Sequence, residues 1–153
     1  MQPMDTKIVS VIKKFSYPMW FILAKKDVDC SCVDFHTKQP VPGCPKCLGT
    51  GHQVKIVRSN AAHQNDTAMI SGNGLGSREV NVVPVFYTLT DIKCEEGDIV
   101  VDGNEAFVVQ HYFSEHSNES KPVYYKIVGA PLKNNVDKFM DIFHETLRGA
   151  GYE

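Results

Sequence analysis

The chain has 153 residues, of which 42% are hydrophobic and 22% are charged, and its formal net charge is −2. This composition allows a packed core and excludes a chain that is disordered throughout. The length fits one domain, or one domain with a small inserted module, and the small net charge gives no general case for nucleic-acid binding.

Charge is nevertheless divided unevenly along the chain. Residues 1–58 hold nine Lys or Arg against four Asp or Glu, a formal charge of +5, whereas residues 59–153 hold seven against fourteen, a formal charge of −7. A basic N-terminal part and an acidic C-terminal part would favour head-to-tail contacts between copies, or a charged face that binds a partner of opposite charge. Uneven composition without a function explains the asymmetry equally well.

The N-terminal region predicts neither a signal peptide nor a membrane span. The first five residues lack the basic and apolar regions of a signal peptide. The most apolar early stretch, residues 17–24, contains Pro18 and is far too short to span a bilayer. We therefore expect no membrane partner, and a protein made and kept in a reducing compartment, or assembled there into something larger; disulfides are rare in such compartments.

The first part of the chain predicts a helix, a strand and a cysteine-rich module. Apolar residues recur at helical spacing in residues 6–15, at Ile8, Val11, Ile12 and Phe15. Residues 17–24 are aromatic and apolar and predict a strand. The cysteine module follows at 27–52, and residues 54–57 predict a short strand that leaves it.

Residues 59–79 are polar and rich in glycine, with Gly72, Gly74 and Gly76 close together. No Gly-Lys-Ser or Gly-Lys-Thr ending follows these glycines, so a phosphate-binding loop is rejected. We expect a flexible loop, with residues 67–70 as a possible short strand inside it.

From Val80 onward the pattern predicts strands. They cover residues 80–89, 99–101, 106–112 and 123–128, with a hairpin turn at 102–104 and a polar loop at 114–121. Pro84 indicates a sheet edge or a bulge. Short strands at this spacing predict a small barrel or a sandwich.

A C-terminal helix is predicted over residues 134–149. Asn134 can cap its start, Asp137 suits the exposed amides of the first turn, and Gly149 stands where helices commonly stop. One face carries Phe139, Met140, Phe143 and Leu147. This face docks on the barrel or on a neighbouring subunit, and we expect docking within the chain.

The predicted fold class is therefore mainly β: a small SH3- or OB-like barrel with an inserted zinc-binding cysteine module and a C-terminal helix. We divide this compact domain into residues 1–26 (N-terminal helix and strand), 27–52 (zinc-binding module), 53–133 (β-barrel) and 134–149 (C-terminal helix).

The cysteine module carries the strongest chemical signal. Cys30-Ser31-Cys32 is followed, after eleven residues, by Cys44-Pro45-Lys46-Cys47. Two close cysteine pairs suit a structural Zn²⁺ held by four thiolates at tetrahedral corners. In a regular strand Cys30 and Cys32 would point to opposite faces, so Ser31 must lie in a turn or bulge. Gly49 and Gly51 would let backbone amides approach the sulfurs.

Two alternatives remain open for this site. His36 or His52 could replace one cysteine ligand, or the module could hold no metal, as two disulfides or four free thiols. A structural role is favoured because residues 27–51 contain few large apolar groups, whereas a structural zinc supplies an apparent ~10–16 kcal/mol in small peptides. Four thiolates also close the coordination sphere, which argues against catalytic zinc.

Two strings in the module resemble known families. The string Cys44-Pro45-Lys46-Cys47-Leu48-Gly49-Thr50-Gly51 looks like half of a DnaJ-type cysteine-rich repeat, but that family needs several repeats and this chain has one. Asp29-Cys30-Ser31-Cys32-Val33-Asp34 together with residues 40–51 resembles an insertion in tailed-bacteriophage neck and head-completion proteins. Residues 96–103 and 107–109 look like the small barrel of phage head-closure proteins.

This resemblance implies a virion structural protein without catalysis. It would form a homo-oligomeric ring below the portal, contact portal and tail or adaptor proteins, and touch packaged DNA only passively. It would be assembled in the cytoplasm of a bacterial host and end in the virion. The alternative is a zinc-ribbon nucleic-acid-binding or transcription-associated module, which the lysines around the cysteines favour.

The remaining reactive residues indicate no enzyme. Cys94 is interpreted as a core or turn thiol, and His63, His111, His116 and His144 as surface or satisfied histidines, since no catalytic constellation follows from their spacing. The acidic residues Glu95, Glu96, Asp98 and Asp102 are interpreted as solvated turns.

Overall fold

The computed structural model describes residues 3–41, 44–71, 78–116, 121–132 and 136–149. In chain order its elements are α1 (Pro3–Phe15), β1 (Tyr17–Asp29), β2 (His52–Ser71), β3 (Arg78–Thr88), β4 (Ile99–Asp102), β5 (Glu105–His116), β6 (Pro122–Pro131) and α2 (Val136–Gly149). Neither described helix has the length and apolar character needed to cross a membrane.

The six strands close into an antiparallel barrel in the order β1-β2-β3-β6-β5-β4. Closure depends on β1, which pairs with β2 along most of its length and with β4 through residues 20–22. The predicted fold class is confirmed: mainly β, with a small barrel, a C-terminal helix and the cysteines in the segment between β1 and β2.

The prediction of a loop over residues 59–79 is wrong for residues 59–71, which belong to β2, and for residues 78–79, which begin β3. Pairing with β1 up to Ala61 and with β3 from Ala62 onward, rather than alternation of apolar and polar side chains, holds this polar sequence in a strand. The suggested short strand at 67–70 lies inside β2. Gly72, Gly74 and Gly76 lie outside the described residues.

Beyond the barrel, β2 and β3 continue as a two-stranded ribbon of residues 65–71 and 78–84. The ladder between β1 and β2 ends at Tyr17 and Ala61, and β6 pairs with β3 only from Val85 to Thr88. Pro84 therefore stands where β3 has no strand partner other than β2 in the described part of the chain, which confirms the predicted sheet edge.

Strand alternation divides the core into two layers. Inside the barrel lie Met19, Phe21, Ala61, Phe86, Ile92, Cys94, Val100, Phe107, Val109 and Ile127. The neighbouring residues Ile22, Ile99 and Val101 face outward and form a second cluster with α2. Three residues of the predicted helix face, Met140, Phe143 and Leu147, are buried in this cluster. The helix thus docks within the chain, as expected; the proposed cap, Asn134, lies outside the described residues.

The interpretation of the acidic turns as solvated is wrong for two carboxylates. Asp98 is only 2% exposed and accepts hydrogen bonds from the amides of Ala24 and Glu95, at 3.0 and 2.8 Å. Lys26 Nζ lies 3.6 Å from the same carboxylate. Asp98 therefore ties the turn before β4 to β1, a contact between residues 74 positions apart.

Asp102 forms a second polar tie at the other end of β1. Its Oδ2 accepts a hydrogen bond from the Tyr17 hydroxyl at 2.6 Å and lies 2.8 Å from His63 Nδ1. The His63 ring stacks on Phe86 at the edge of the barrel interior, with 4.5 Å between ring centroids. Nδ1 of His63 is thus paired, but its Nε2 is buried without a hydrogen-bond partner among the described residues, so the prediction of a satisfied histidine holds for one ring nitrogen only.

Replacement of Asp98 should measure how strongly the buried carboxylate stabilises the barrel. Asp98→Ala removes the acceptor of two part-buried hydrogen bonds, from the amides of Ala24 and Glu95, and a donor left unsatisfied costs about 1–3 kcal/mol. We expect the free energy of unfolding, measured by urea denaturation, to fall by about 3 kcal/mol. The exposed neighbour serves as control, because Glu96→Ala should change it by less than about 0.5 kcal/mol. Equal effects at both positions would contradict this role.

Candidate metal centre

The cysteine module begins and ends at the same place on the barrel. Asp29 of β1 pairs with His52 of β2, and the Cys30 amide donates to the Gly51 carbonyl at 2.9 Å. The ends of the 22-residue segment 30–51 are thereby held together by the strand ladder, and Cys30 stands at its base.

The first cysteine pair lies in a turn, as its spacing requires. The Val33 amide donates to the Cys30 carbonyl at 3.1 Å, which places Ser31 and Cys32 in the turn. This turn breaks the alternation of β1, so that both thiols reach the same side.

The second pair, Cys44 and Cys47, is followed by a turn in which three residues have left-handed backbone conformations. The backbone φ angles are +52° at Leu48, +84° at Gly49 and +79° at Gly51. The Leu48 amide donates to the Cys44 carbonyl at 2.9 Å, and the Thr50 amide donates to the Cys47 carbonyl at 3.0 Å. Glycine adopts such angles at no steric cost, which explains two of the three positions.

Backbone amides point at the sulfurs of this pair. Those of Lys46 and Cys47 hydrogen-bond Cys44, and those of Gly49 and Gly51 hydrogen-bond Cys47. The predicted approach of backbone amides to the sulfurs, which Gly49 and Gly51 allow, is therefore confirmed. Pro45 fits between the cysteines because the amide it lacks is not one of these donors.

The four sulfurs form a compact group, with every Sγ within 4.8 Å of the others. The Sγ atoms of Cys30 and Cys44 are 3.9 Å apart, and those of Cys32 and Cys47 are 3.5 Å apart. A tetrahedral ion with metal–sulfur bonds near ~2.3 Å would separate its ligands by roughly 3.8 Å. The sulfur spacing and the amide donors thus fit a thiolate-bound metal ion.

The thiols of the cluster differ in their affinity for a proton. Burial raises the pKa of Cys44, but hydrogen bonds from the Cys47 and Lys46 amides outweigh it and lower the value to about 7. The Val41 amide lowers the pKa of Cys32, yet burial and the adjacent thiols together raise it to about 12. Four thiolates this close repel one another, and a divalent cation would offset that repulsion.

Neither histidine belongs to the sulfur group. His36 is exposed, with its ring against Phe35, and His52 Nδ1 lies 3.4 Å from Asp29 Oδ1. All five cysteines of the chain are free, so the disulfide alternative has no support. Among the described residues, the four cysteines are the one group of three or more His, Cys, Asp or Glu side chains placed to hold an ion.

Leu48 anchors the module to the rest of the protein. Its side chain is 4% exposed and lies in the outer cluster with Ile22 and Phe143. Nearby, the Thr146 hydroxyl of α2 donates to the Pro45 carbonyl at 3.3 Å. The sequence showed Leu48 as one of the few apolar residues of the module but not its partners, which come from β1 and α2.

Cys94 lies apart from this centre, inside the barrel. Burial, together with the charges of Asp98 and Asp91, raises its pKa to about 12. It is a core thiol, as predicted, and its burial makes it inert.

Comparison with protein-family models and with curated protein sequences found no match for this chain.

Counting reactive thiols should distinguish the cluster from the core cysteine. With metal bound, we expect none of the five to react quickly with a thiol reagent; after chelation, four should react, and only denaturant should expose Cys94. Metal analysis should give one ion per chain, which Cys47→Ser removes and the control Cys94→Ser retains. The same thiol count with and without chelator would contradict a metal centre.

Two substitutions at Leu48 should separate the stability gained by burying its side chain from the stability lost through its left-handed backbone conformation. Leu48→Ala should lower the free energy of unfolding by about 2–4 kcal/mol. Leu48→Gly loses the same contacts but escapes the left-handed penalty of about 1–2 kcal/mol, so it should be no less stable than Leu48→Ala.

Leu147, buried in the same cluster but within a helix, provides the matched control. There the order should reverse, with Gly less stable than Ala by about 1 kcal/mol. Urea denaturation of the four variants measures both differences. If Gly is the worse residue at both positions, the strain at Leu48 is not significant.

Proposed function

We propose that this chain is a structural virion protein of a bacteriophage neck or connector, which forms a homo-oligomeric ring between portal and tail proteins. The observation that carries the proposal is the closed four-cysteine cluster, fixed to a small barrel and lying in the string that resembles neck and head-completion proteins. In this role the protein works mechanically and needs no catalytic residue.

Zinc is the ion we propose for the cluster. Tetrahedral sulfur ligands suit it, and four of them leave no open position for water or substrate. Bound zinc would order a segment that has few buried apolar side chains of its own. The cysteine module would then be a rigid projection that contacts the neighbouring portal or tail ring.

The ribbon of residues 65–71 and 78–84 supports assembly with other subunits. A two-stranded hairpin by itself is marginally stable in water, and its outer edges present backbone groups that lack strand partners within the described residues. Contact with neighbouring subunits would satisfy these groups. A ring supplies such neighbours on both sides of every copy.

Deletion of the gene from its phage provides the test. We expect filled or leaking heads and separate tails, because the joint between them is missing. Electron microscopy of the particles measures the defect, and expression of the wild-type chain should restore tailed particles. Cys47→Ser should fail to restore them, whereas Cys94→Ser, which leaves the cluster intact, should succeed. Normal tailed particles after deletion would refute the proposal.

A zinc-ribbon nucleic-acid-binding module is the second candidate, and one observation favours it. A cleft of about 700 Å³ lies between the module, β2 and α2, and Lys46 and Lys55 stand on its wall. However, Val54 and Ile56 also line it, and the guanidinium of Arg58 already lies over Trp20, 5.3 Å from its ring centre.

A salt titration of DNA binding separates the two candidates. A phosphate-binding module should lose affinity steeply with salt, with a logarithmic slope near −0.9 per phosphate contacted. For the connector we expect weak binding without such a slope. A steep slope that Lys46→Ala and Lys55→Ala reduce would favour the nucleic-acid module.

A further inference from the structure

Residues 34–39 form a rigid finger on the cysteine module. The Asp34 amide donates to the Gln39 carbonyl at 3.0 Å, and the Lys38 amide donates to the Asp34 carbonyl at 2.9 Å. The Asp34 side chain accepts hydrogen bonds from the amides of His36 and Thr37, at 2.7 and 3.1 Å. These bonds fix the backbone, so that docking of the finger would cost little conformational entropy.

Phe35 stands at the outer surface of this finger and is 81% exposed. Lys38 Nζ lies 4.7 Å from the centre of its ring. An exposed aromatic side chain contributes little burial energy to its own fold, and the contact with Lys38, itself exposed, adds only a small amount. Buried in a partner's pocket, the same ring would be the kind of residue that dominates binding.

An apolar groove of about 280 Å³ lies between α1 and the barrel. Ile8, Val11 and Ile12 of α1 line one side, and Tyr87 and Tyr124 line the other. Val11 is 55% exposed, so the groove is open to solvent. A dry cavity of roughly 150 Å³ accepts benzene, and this groove is therefore large enough for a phenylalanine side chain.

The finger and the groove lie toward opposite ends of β1. The groove lies near the Tyr17 end of β1, beside α1 and Gln64 of β2, whereas the finger follows Asp29 at the other end. β1 has 13 residues, so at about 3.3 Å per residue a straight strand would separate its ends by at most roughly 40 Å. This placement favours a contact between the finger of one copy and the groove of another.

Charge at the two features is complementary. The finger carries Asp34 and Lys38 on either side of Phe35. At the groove, Lys7 lines the wall, and Glu115 lies beside Tyr124, whose pKa is raised by burial and by the Glu115 charge. Lys38 can thus face Glu115 while Asp34 faces Lys7, which favours one orientation of docking.

We propose that Phe35 of one copy inserts into the groove between α1 and the barrel of the next copy. The contact is heterologous, because different surfaces of the two molecules meet, and repetition of it closes a ring when the rotation between copies allows closure. The inference rests on the ring proposed above and names the residues of its subunit interface.

Sedimentation velocity of the full chain over a range of concentrations tests the contact. The wild type should associate beyond a dimer, whereas Phe35→Ala and Val11→Glu should each weaken association at least tenfold. Both side chains are exposed, so both variants should keep the fold and the metal content of the wild type. Val41→Ala is the matched control: it removes an exposed apolar side chain of the same module, outside the finger, and should leave association unchanged.

A mixture of the two variants tests the head-to-tail arrangement directly. Phe35→Ala keeps an intact groove and Val11→Glu keeps an intact finger, so an equimolar mixture should form a heterodimer and nothing larger. Absence of that heterodimer, although each variant alone is monomeric, would overturn the proposed pairing.

The outcomes also separate this inference from the proposed function. If Phe35→Ala associates as strongly as the wild type, the finger is not the interface, while the neck protein can still form its ring by another contact. A wild type that stays monomeric at every concentration likewise overturns this inference. The connector role is judged by the particles that form after gene deletion, which do not depend on association of the free chain.

Discussion

The pairing of β1 with two neighbours is the constraint on which the rest of the structure depends. β1 joins β2 on one side and β4 on the other, and without the second ladder the barrel would be an open sheet. Its alternation places Phe21 inside the barrel and Ile22 outside, beneath α2. This one strand thereby contributes to the core inside the barrel and to the outer surface on which the C-terminal helix packs.

The cysteine cluster depends on the same strand. The ladder between β1 and β2 brings the ends of the module together, whereas a bound metal would fix its interior, so the two constraints act on different parts of one segment. Leu48 connects them, because it follows Cys47 directly and lies in the cluster that covers Ile22. With a metal bound, the module and the barrel strand beneath it would form one stiff unit, which the proposed mechanical role would require.

The features that the sequence predicts correctly are those with a local signal. The spacing of the cysteines predicted that the four sulfurs lie together, and Gly49 and Gly51 predicted the turn after Cys47. The periodicity of apolar residues predicted both helices. Burial of Asp98 and pairing of His63 with Asp102 had no such signal, because their partners lie 74 and 39 residues away. The length of β2 was missed for the same reason, since pairing with β3 determines it.

Barrels of this size serve many functions, so the fold alone does not determine the role of this chain. Closure does limit how the described part of the chain can bind partners. A closed barrel has no free edge onto which a strand of another chain could add, so a partner would have to contact a barrel face or an element outside the barrel. The elements outside it include α1 with its apolar groove, the ribbon of β2 and β3, and the finger of the cysteine module. Groove and finger lie toward opposite ends of β1, so the barrel separates the two surfaces of the proposed contact, as a repeating head-to-tail arrangement would require.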